Sequence, residues 1–214
     1  MGKKIYVKNE KMFKSKWQMI IYILIFAFLI YMFIYLGTMS YSHNIKDNVK
    51  FAMEFNQVGT DNVYKYVDVV EARMVASGQK GIVLFGMSNN EWVNYYAKIV
   101  NDVAKEVGIK EIYYYDFRKN RQENNGSYED ILVKLENYVT YNDKDNADMY
   151  APSLLVVSKD EVLYFDSETA FITGKVTPQV YWNSFEVGKK KAEIKAAFLE
   201  YLQKWGEING KYKK

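Results

Sequence analysis

Residues 81–93 read Gly81-Ile82-Val83-Leu84-Phe85-Gly86-Met87-Ser88-Asn89-Asn90-Glu91-Trp92-Val93. The run Ile82-Val83-Leu84-Phe85 is continuously apolar and closed by a glycine at each end. A strand with one wet face alternates polar and apolar residues. A run without alternation marks a strand buried on both faces of a sheet. Beyond the polar turn, Val93, Tyr96, Ile99, Val100, Val103 and Val107 recur at helical spacing up to Gly108, a glycine suited to stop a helix. Lys110 to Phe117 then reads as the next strand. Strand, helix and strand in that order require a crossover, and so a parallel pair.

Upstream, Asn62 to Val67 is a short strand or a helix start, and Val69 to Ala76 has helical spacing ending at Gly78. Downstream, residues 118–126 (RKNRQENNG) form a polar loop. Ser127-x-x-Asp130 is a capping box for a helix carrying Ile131, Leu132, Leu135 and Val139. A second polar loop covers 141–149. Ser153 to Val157 and Glu161 to Phe165 flank the turn Ser158-Lys159-Asp160, which predicts an antiparallel hairpin. A last helix over about 186–205 places Ile194, Phe198, Leu202 and Trp205 on one face. The fold class is α/β, a mixed sheet flanked by helices.

Residues 17–36 (WQMIIYILIFAFLIYMFIYL) carry no charge. As a helix at ~1.5 Å per residue they span ~30 Å, the thickness of a bilayer's hydrocarbon core. Trp17 and Tyr35 suit the two interfaces. A cleaved signal peptide is the competing reading. The run is longer than an h-region, and Gly37-Thr38-Met39-Ser40 is a poor cleavage site, which favours an uncleaved anchor. Residues 1–16 hold six lysines against one glutamate, so of the chain's net +3 the portion beyond residue 36 carries −2. The basic flank predicts a cytoplasmic N-terminus and an extracytoplasmic remainder. The expected organisation is a basic tail 1–16, a signal-anchor helix 17–36, a stalk 37–57, a folded domain 58–206 and a polar tail 207–214. Within the stalk, Val49, Phe51, Met53 and Phe55 are available for packing.

The chain has no cysteine. That excludes disulfides, thiolate nucleophiles, Cys-ligated zinc and iron–sulfur clusters. His43, the only histidine, has no neighbour in sequence that suggests a metal or catalytic partner. There is no P-loop, no G-x-G-x-x-G and no H-E-x-x-H, and no cofactor is expected. No basic surface points to nucleic acid. Asp116 ends a strand, where α/β folds place functional groups, and where an acid also closes turns.

The element order, with Pro152 just before the hairpin, resembles the thioredoxin fold over residues 58–206. Phe85 matches the aromatic that ends the strand before the active site, which aligns Asn90-Glu91-Trp92-Val93 with the C-x-x-C tetrapeptide. Tyr150-Ala151-Pro152-Ser153 resembles the cis-proline loop. The similarity is greatest to membrane-anchored thioredoxin-like proteins of Gram-positive bacteria, some labelled bacteriocin transport accessory proteins. Asn90 and Val93 stand where both cysteines would be. Thiol–disulfide exchange needs a thiolate attacking through a mixed disulfide, so that activity does not carry over. The resemblance implies a shallow groove that pairs with an extended peptide by backbone hydrogen bonds. Met87, Asn89, Asn90, Glu91, Trp92, Val93, Ala151 and Pro152 would line it.

The expected function is a redox-inactive binding or accessory module at the extracytoplasmic face of a membrane. Its expected partners are the lipid bilayer and either an exported peptide or a membrane transporter. Two other readings stand beside it: a non-thiol enzyme using Asn90, Glu91 and Asp116, and a structural subunit whose working part is the membrane helix.

Overall fold

The computed structural model describes residues 16–43, 46–141, 147–184 and 186–208. The basic tail before Lys16, the middle of the loop 141–149 and the tail beyond Ile208 lie outside them. The chain forms two units, Met1–Ile45 and Lys46–Lys214.

The first unit contains helix α1 (Lys16–His43). Its segment Lys16–Tyr35 is apolar and long enough to cross a membrane, and no part of it is buried in protein. The helix runs past Leu36 through residues assigned above to the stalk, with His43 as its last residue.

The second unit holds α2 (Asp47–Glu54), β1 (Tyr64–Tyr66), α3 (Val69–Ala76), β2 (Gly81–Gly86), α4 (Glu91–Val107), β3 (Ile112–Asp116), α5 (Arg118–Gln122) and α6 (Gly126–Lys134). The short strands β4 (Thr140–Tyr141) and β5 (Ala147–Asp148) pair with each other. The hairpin β6 (Ser153–Ser158) and β7 (Glu161–Ser167) follows, then a 3-10 turn (Ala170–Thr173), α7 (Pro178–Trp182) and α8 (Glu186–Ile208). Five strands form one mixed sheet in the order β1-β3-β2-β6-β7. β1, β3 and β2 run parallel, and β6 and β7 are antiparallel additions.

Chain handedness places the helices. From β1 to β2 the chain steps two places along the sheet, and from β2 to β3 it steps one place back. Right-handed crossovers in opposite directions put α3 and α4 on opposite faces. α6 packs on α3, while α7 and α8 pack with α4. With both faces covered, every residue of β2 and of β6 is buried, as the unbroken apolar runs require. α4 buries Val93, Tyr96, Val100 and Val103 and ends at Gly108, whose φ of 88° is the left-handed conformation a glycine adopts without penalty.

Residues 118–122, expected above to lie in a polar loop, form the short helix α5. Residues 47–55 do not form a stalk: Phe51 of α2 and Phe55 just after it are 0% and 1% exposed and lie inside the core, so the folded unit starts upstream of Val58. Ser127 does not cap α6. The cap is Asn125, whose side chain accepts from the Ser127 N–H at 3.0 Å. The reciprocal box is at α3, where Asp68 accepts from the Val70 and Glu71 N–H groups and Glu71 accepts from the Asp68 N–H.

Candidate functional site

The segment between β2 and α4 leaves the sheet at Gly86 and is held from the β3 side. Asp116, paired with Gly86 in register, accepts on Oδ2 from the Ser88 N–H at 2.9 Å and from the Ser88 hydroxyl. Its Oδ1 accepts from the Arg118 N–H at 2.9 Å. The Arg118 guanidinium donates to the Ser88 carbonyl. Asp116 therefore closes a turn and pins a loop, and both carboxylate oxygens are engaged.

Asn90 is the N-cap of α4. Its side-chain oxygen accepts from Trp92 N–H at 2.9 Å and Val93 N–H at 3.3 Å, two of the donors a helix start leaves unsatisfied. A cap so committed is not a free amide. Asn89 precedes it in the left-handed region (φ 58°) and is exposed, as is Glu91. Met87 and Trp92 are half-buried. The Trp92 ring packs on Tyr181 at 5.5 Å and on Trp182 at 6.4 Å between centroids. Val93 is fully buried and belongs to the core rather than to a groove wall.

Ala151 and Pro152 enter β6 beside this loop, because Phe85 pairs with Ser153. The Ala151–Pro152 bond is cis. Both residues are buried. The Pro152 carbonyl accepts from the Glu168 N–H at 3.0 Å. The Ala151 N–H and C=O have no partner among the described residues.

Beneath the loop lies a cluster that sequence reading missed. Glu54 of α2 accepts from the Tyr66 hydroxyl at 2.6 Å and lies 3.5 Å from the Tyr114 hydroxyl. Burial first, and the Glu54 carboxylate second, push both tyrosines far above the ordinary range. Farther round, the Gln57 N–H and the Asn56 side chain bond to Asn94 in the first turns of α4. Glu54 of α2 is thus tied to β1 and β3, and the segment just after α2 to the first turn of α4. The aromatic platform under Trp92 comes from α7, whose start was legible in Thr177-Pro178: Thr177 caps the helix and the proline takes its first turn.

Gly86 is where the loop meets the core most tightly. A Cβ there would sit 2.7 Å from Cε2 of Tyr114 and 3.1 Å from Cγ1 of Val93. Gly86→Ala should therefore cost about 1–3 kcal/mol through overpacking, measured by urea denaturation. An unchanged midpoint would mean that the ring has room to move.

Among the described residues no group of three or more His, Asp or Glu could hold a metal ion. A crevice of about 430 Å³, lined by Lys80, Ile82, Ile109, Tyr113, Tyr201 and Leu202 among others, opens at the opposite end of β2 and β3. No protein-family model matches the chain, and no curated protein matches its sequence.

Of the predicted site residues, Met87, Asn89, Glu91 and Trp92 lie half-buried or exposed on the segment from the end of β2 into the first turn of α4. The structure assigns Asn90 to capping and Val93 to the core. Asn90, Glu91 and Asp116 do not form a nucleophile–base pair, because Asn90 and Asp116 are spent on the backbone of their own loops.

Proposed function

We propose that the chain is a membrane-anchored, thioredoxin-like domain without thiol chemistry, and that it holds an extended peptide at the extracytoplasmic face. The observation that carries this reading is the backbone of Ala151, which has no partner among the described residues. Ala151 stands two residues before Ser153, the sheet partner of Phe85, and the loop 87–92 that follows Phe85 exposes Asn89 and Glu91. An extended segment laid there completes both hydrogen bonds, and the rims of Met87 and Trp92 supply apolar contact. Such pairing needs no sulfur.

The fold-level support is the sheet order, with a parallel βαβ unit, an added antiparallel hairpin and the cis Ala151–Pro152 bond beside the β2–α4 loop. The basic residues before α1 set the orientation, and an anchor would keep the domain near exported clients and raise their effective concentration. An exported peptide, including a bacteriocin precursor, is the proposed client.

The test is photo-crosslinking from the full chain in its native membrane, with the reactive residue at Glu91 and, as control, at the exposed Val180. Peptide adducts at 91 and none at 180 are expected, and Trp92→Arg in the chain labelled at 91 should abolish them. Equal labelling at both sites removes the groove from the reading. Disulfide reduction by the purified chain should stay at background; any turnover overturns the absence of redox chemistry.

A further inference from the structure

Two acidic residues stand two apart where β7 ends, and the fold treats them differently. Asp166 is satisfied at both oxygens. Its Oδ1 accepts from the Lys190 ammonium at 2.5 Å and its Oδ2 from the Tyr96 hydroxyl at 2.7 Å. Glu168 is buried, with 5% of its surface exposed. Its Oε1 accepts from the Ala170 N–H at 2.6 Å. Its Oε2 has no partner among the described residues and is not sealed from solvent, and Glu168 forms no ion pair among them. A carboxylate taken out of water is costly unless it is paired. One neutral N–H leaves most of that cost standing, and a cation from outside removes it.

The surroundings say where such a cation arrives. The Glu168 N–H donates to the Pro152 carbonyl at 3.0 Å, and Ser167 just before it pairs with Ser153. Glu168 therefore flanks the cis Ala151–Pro152 bond, one residue from the Ala151 backbone that has no partner among the described residues. Side chains two apart on a strand point to one face. Here both carboxylates act on one group: the Tyr96 hydroxyl is held well above its ordinary value by burial first, then by Asp166 and, less, by Glu168. Tyr96 packs on Trp182 at 5.3 Å and Trp182 on Trp92 at 6.4 Å. The acid and the half-buried ring of the proposed groove thus lie on the same side of the sheet, and aromatic faces also attract cations.

We propose that Glu168 is a cation-selective subsite of this groove, which takes an ammonium or guanidinium group of an extended peptide whose backbone pairs with Ala151. The inference rests on the peptide-holding reading above and adds to it the charge of the client. Lys190 does not fill the role, because its ammonium is spent on Asp166. The exposed Glu91 meets cations in water. Glu168 meets one with most water excluded, where a charge-assisted hydrogen bond counts for more.

The test measures binding of short extended peptides of alternating threonine and valine to the full chain in detergent micelles, by fluorescence anisotropy. One peptide has blocked ends and a central lysine. A second replaces the lysine by norleucine, and a third has norleucine and a free amino terminus. A cationic peptide should bind the wild-type chain about tenfold or more tighter than the blocked norleucine peptide. Whichever cationic peptide wins names the source of the ammonium. Glu168→Gln keeps an acceptor for the Ala170 N–H and removes the charge, and should bring that ratio to about one. Glu193→Gln, at an exposed acid of α8, should leave the ratio as it is. Equal affinity for all three peptides overturns the subsite and leaves the groove standing. A ratio unmoved by Glu168→Gln, or moved as far by Glu193→Gln, overturns it as well. The wild-type comparison needs no mutation, so it decides even where Glu168→Gln fails to fold. Binding of none of the peptides to a chain with native near-ultraviolet circular dichroism removes the groove itself, and the subsite with it.

Discussion

Phe51→Ala should destabilise the folded unit by about 3–5 kcal/mol, a large part of the 5–15 kcal/mol that holds a typical domain together. Phe51 sits on an 8-residue helix that follows the apolar segment in sequence, yet its side chain is fully enclosed. Its ring stacks on Tyr64 at 4.0 Å, lies 4.6 Å from Phe55 and meets Tyr114 edge-on at 5.1 Å. Truncation removes the transfer free energy of the ring and leaves a cavity walled by three other aromatics, which cannot collapse without breaking their own contacts. Met53→Ala on the same helix is the internal control, because Met53 is 74% exposed and should change stability by less than about 0.5 kcal/mol. Urea denaturation of the full chain in micelles, followed by near-ultraviolet circular dichroism, measures both. Equal midpoints would show that α2 does not belong to the core.

The same helix shows where sequence reading reaches its limit. β2, α4 and the β6–β7 hairpin were legible because each repeats its signal over five or more residues: an unbroken apolar run, a helical stripe, two runs about a polar turn. α2 has only Phe51 and Phe55 to declare itself, one turn apart, and isolated helices that short gain little from their own propensity. What makes it part of the fold is a set of non-local aromatic contacts with β1 and β3, and no window along the chain contains them. α5 was read as loop for a related cause, since Arg118 to Gln122 buries nothing. The capping error is different in kind. Ser127-x-x-Asp130 fits the template, but Asn125 reaches the Ser127 N–H first and starts the helix earlier. The site divides the same way. The loop after β2 and its neighbour at Pro152 could be placed from sequence. The burial of Val93, the capping duty of Asn90 and the link from Glu54 through Tyr66 and Tyr114 depend on which atoms meet across the sheet.

Raising the pH above about 10 should unfold the domain steeply, and Tyr128→Phe with Tyr164→Phe should flatten that fall. Burial drives the shift in both rings: it pushes the Tyr128 hydroxyl up to about 12, and the Tyr164 hydroxyl higher still, with the Asp166 carboxylate assisting there. A tyrosine whose folded pKa lies above its unfolded value adds stability below about pH 10, where both states keep the proton. As pH rises past that point the unfolded chain releases the proton while the folded chain retains it. The folded state then binds more protons, and stability falls by about 1.4 kcal/mol per pH unit for each such tyrosine until its folded pKa is reached. Tyr64, Tyr96 and Tyr114 are displaced in the same direction by burial, so the effects accumulate. Tyr128 and Tyr164 are the informative pair because their buried hydroxyls make no hydrogen bond among the described residues. Replacing both by phenylalanine therefore removes two desolvated, unpaired groups, and stability at pH 7 should hold or rise by about 1 kcal/mol. Between pH 10 and 12 the double variant should lose about 2.7 kcal/mol per pH unit less than the parent. Parallel stability curves for parent and variant would mean that neither hydroxyl is held protonated by the fold. A loss of stability at pH 7 would mean that at least one of them has a partner.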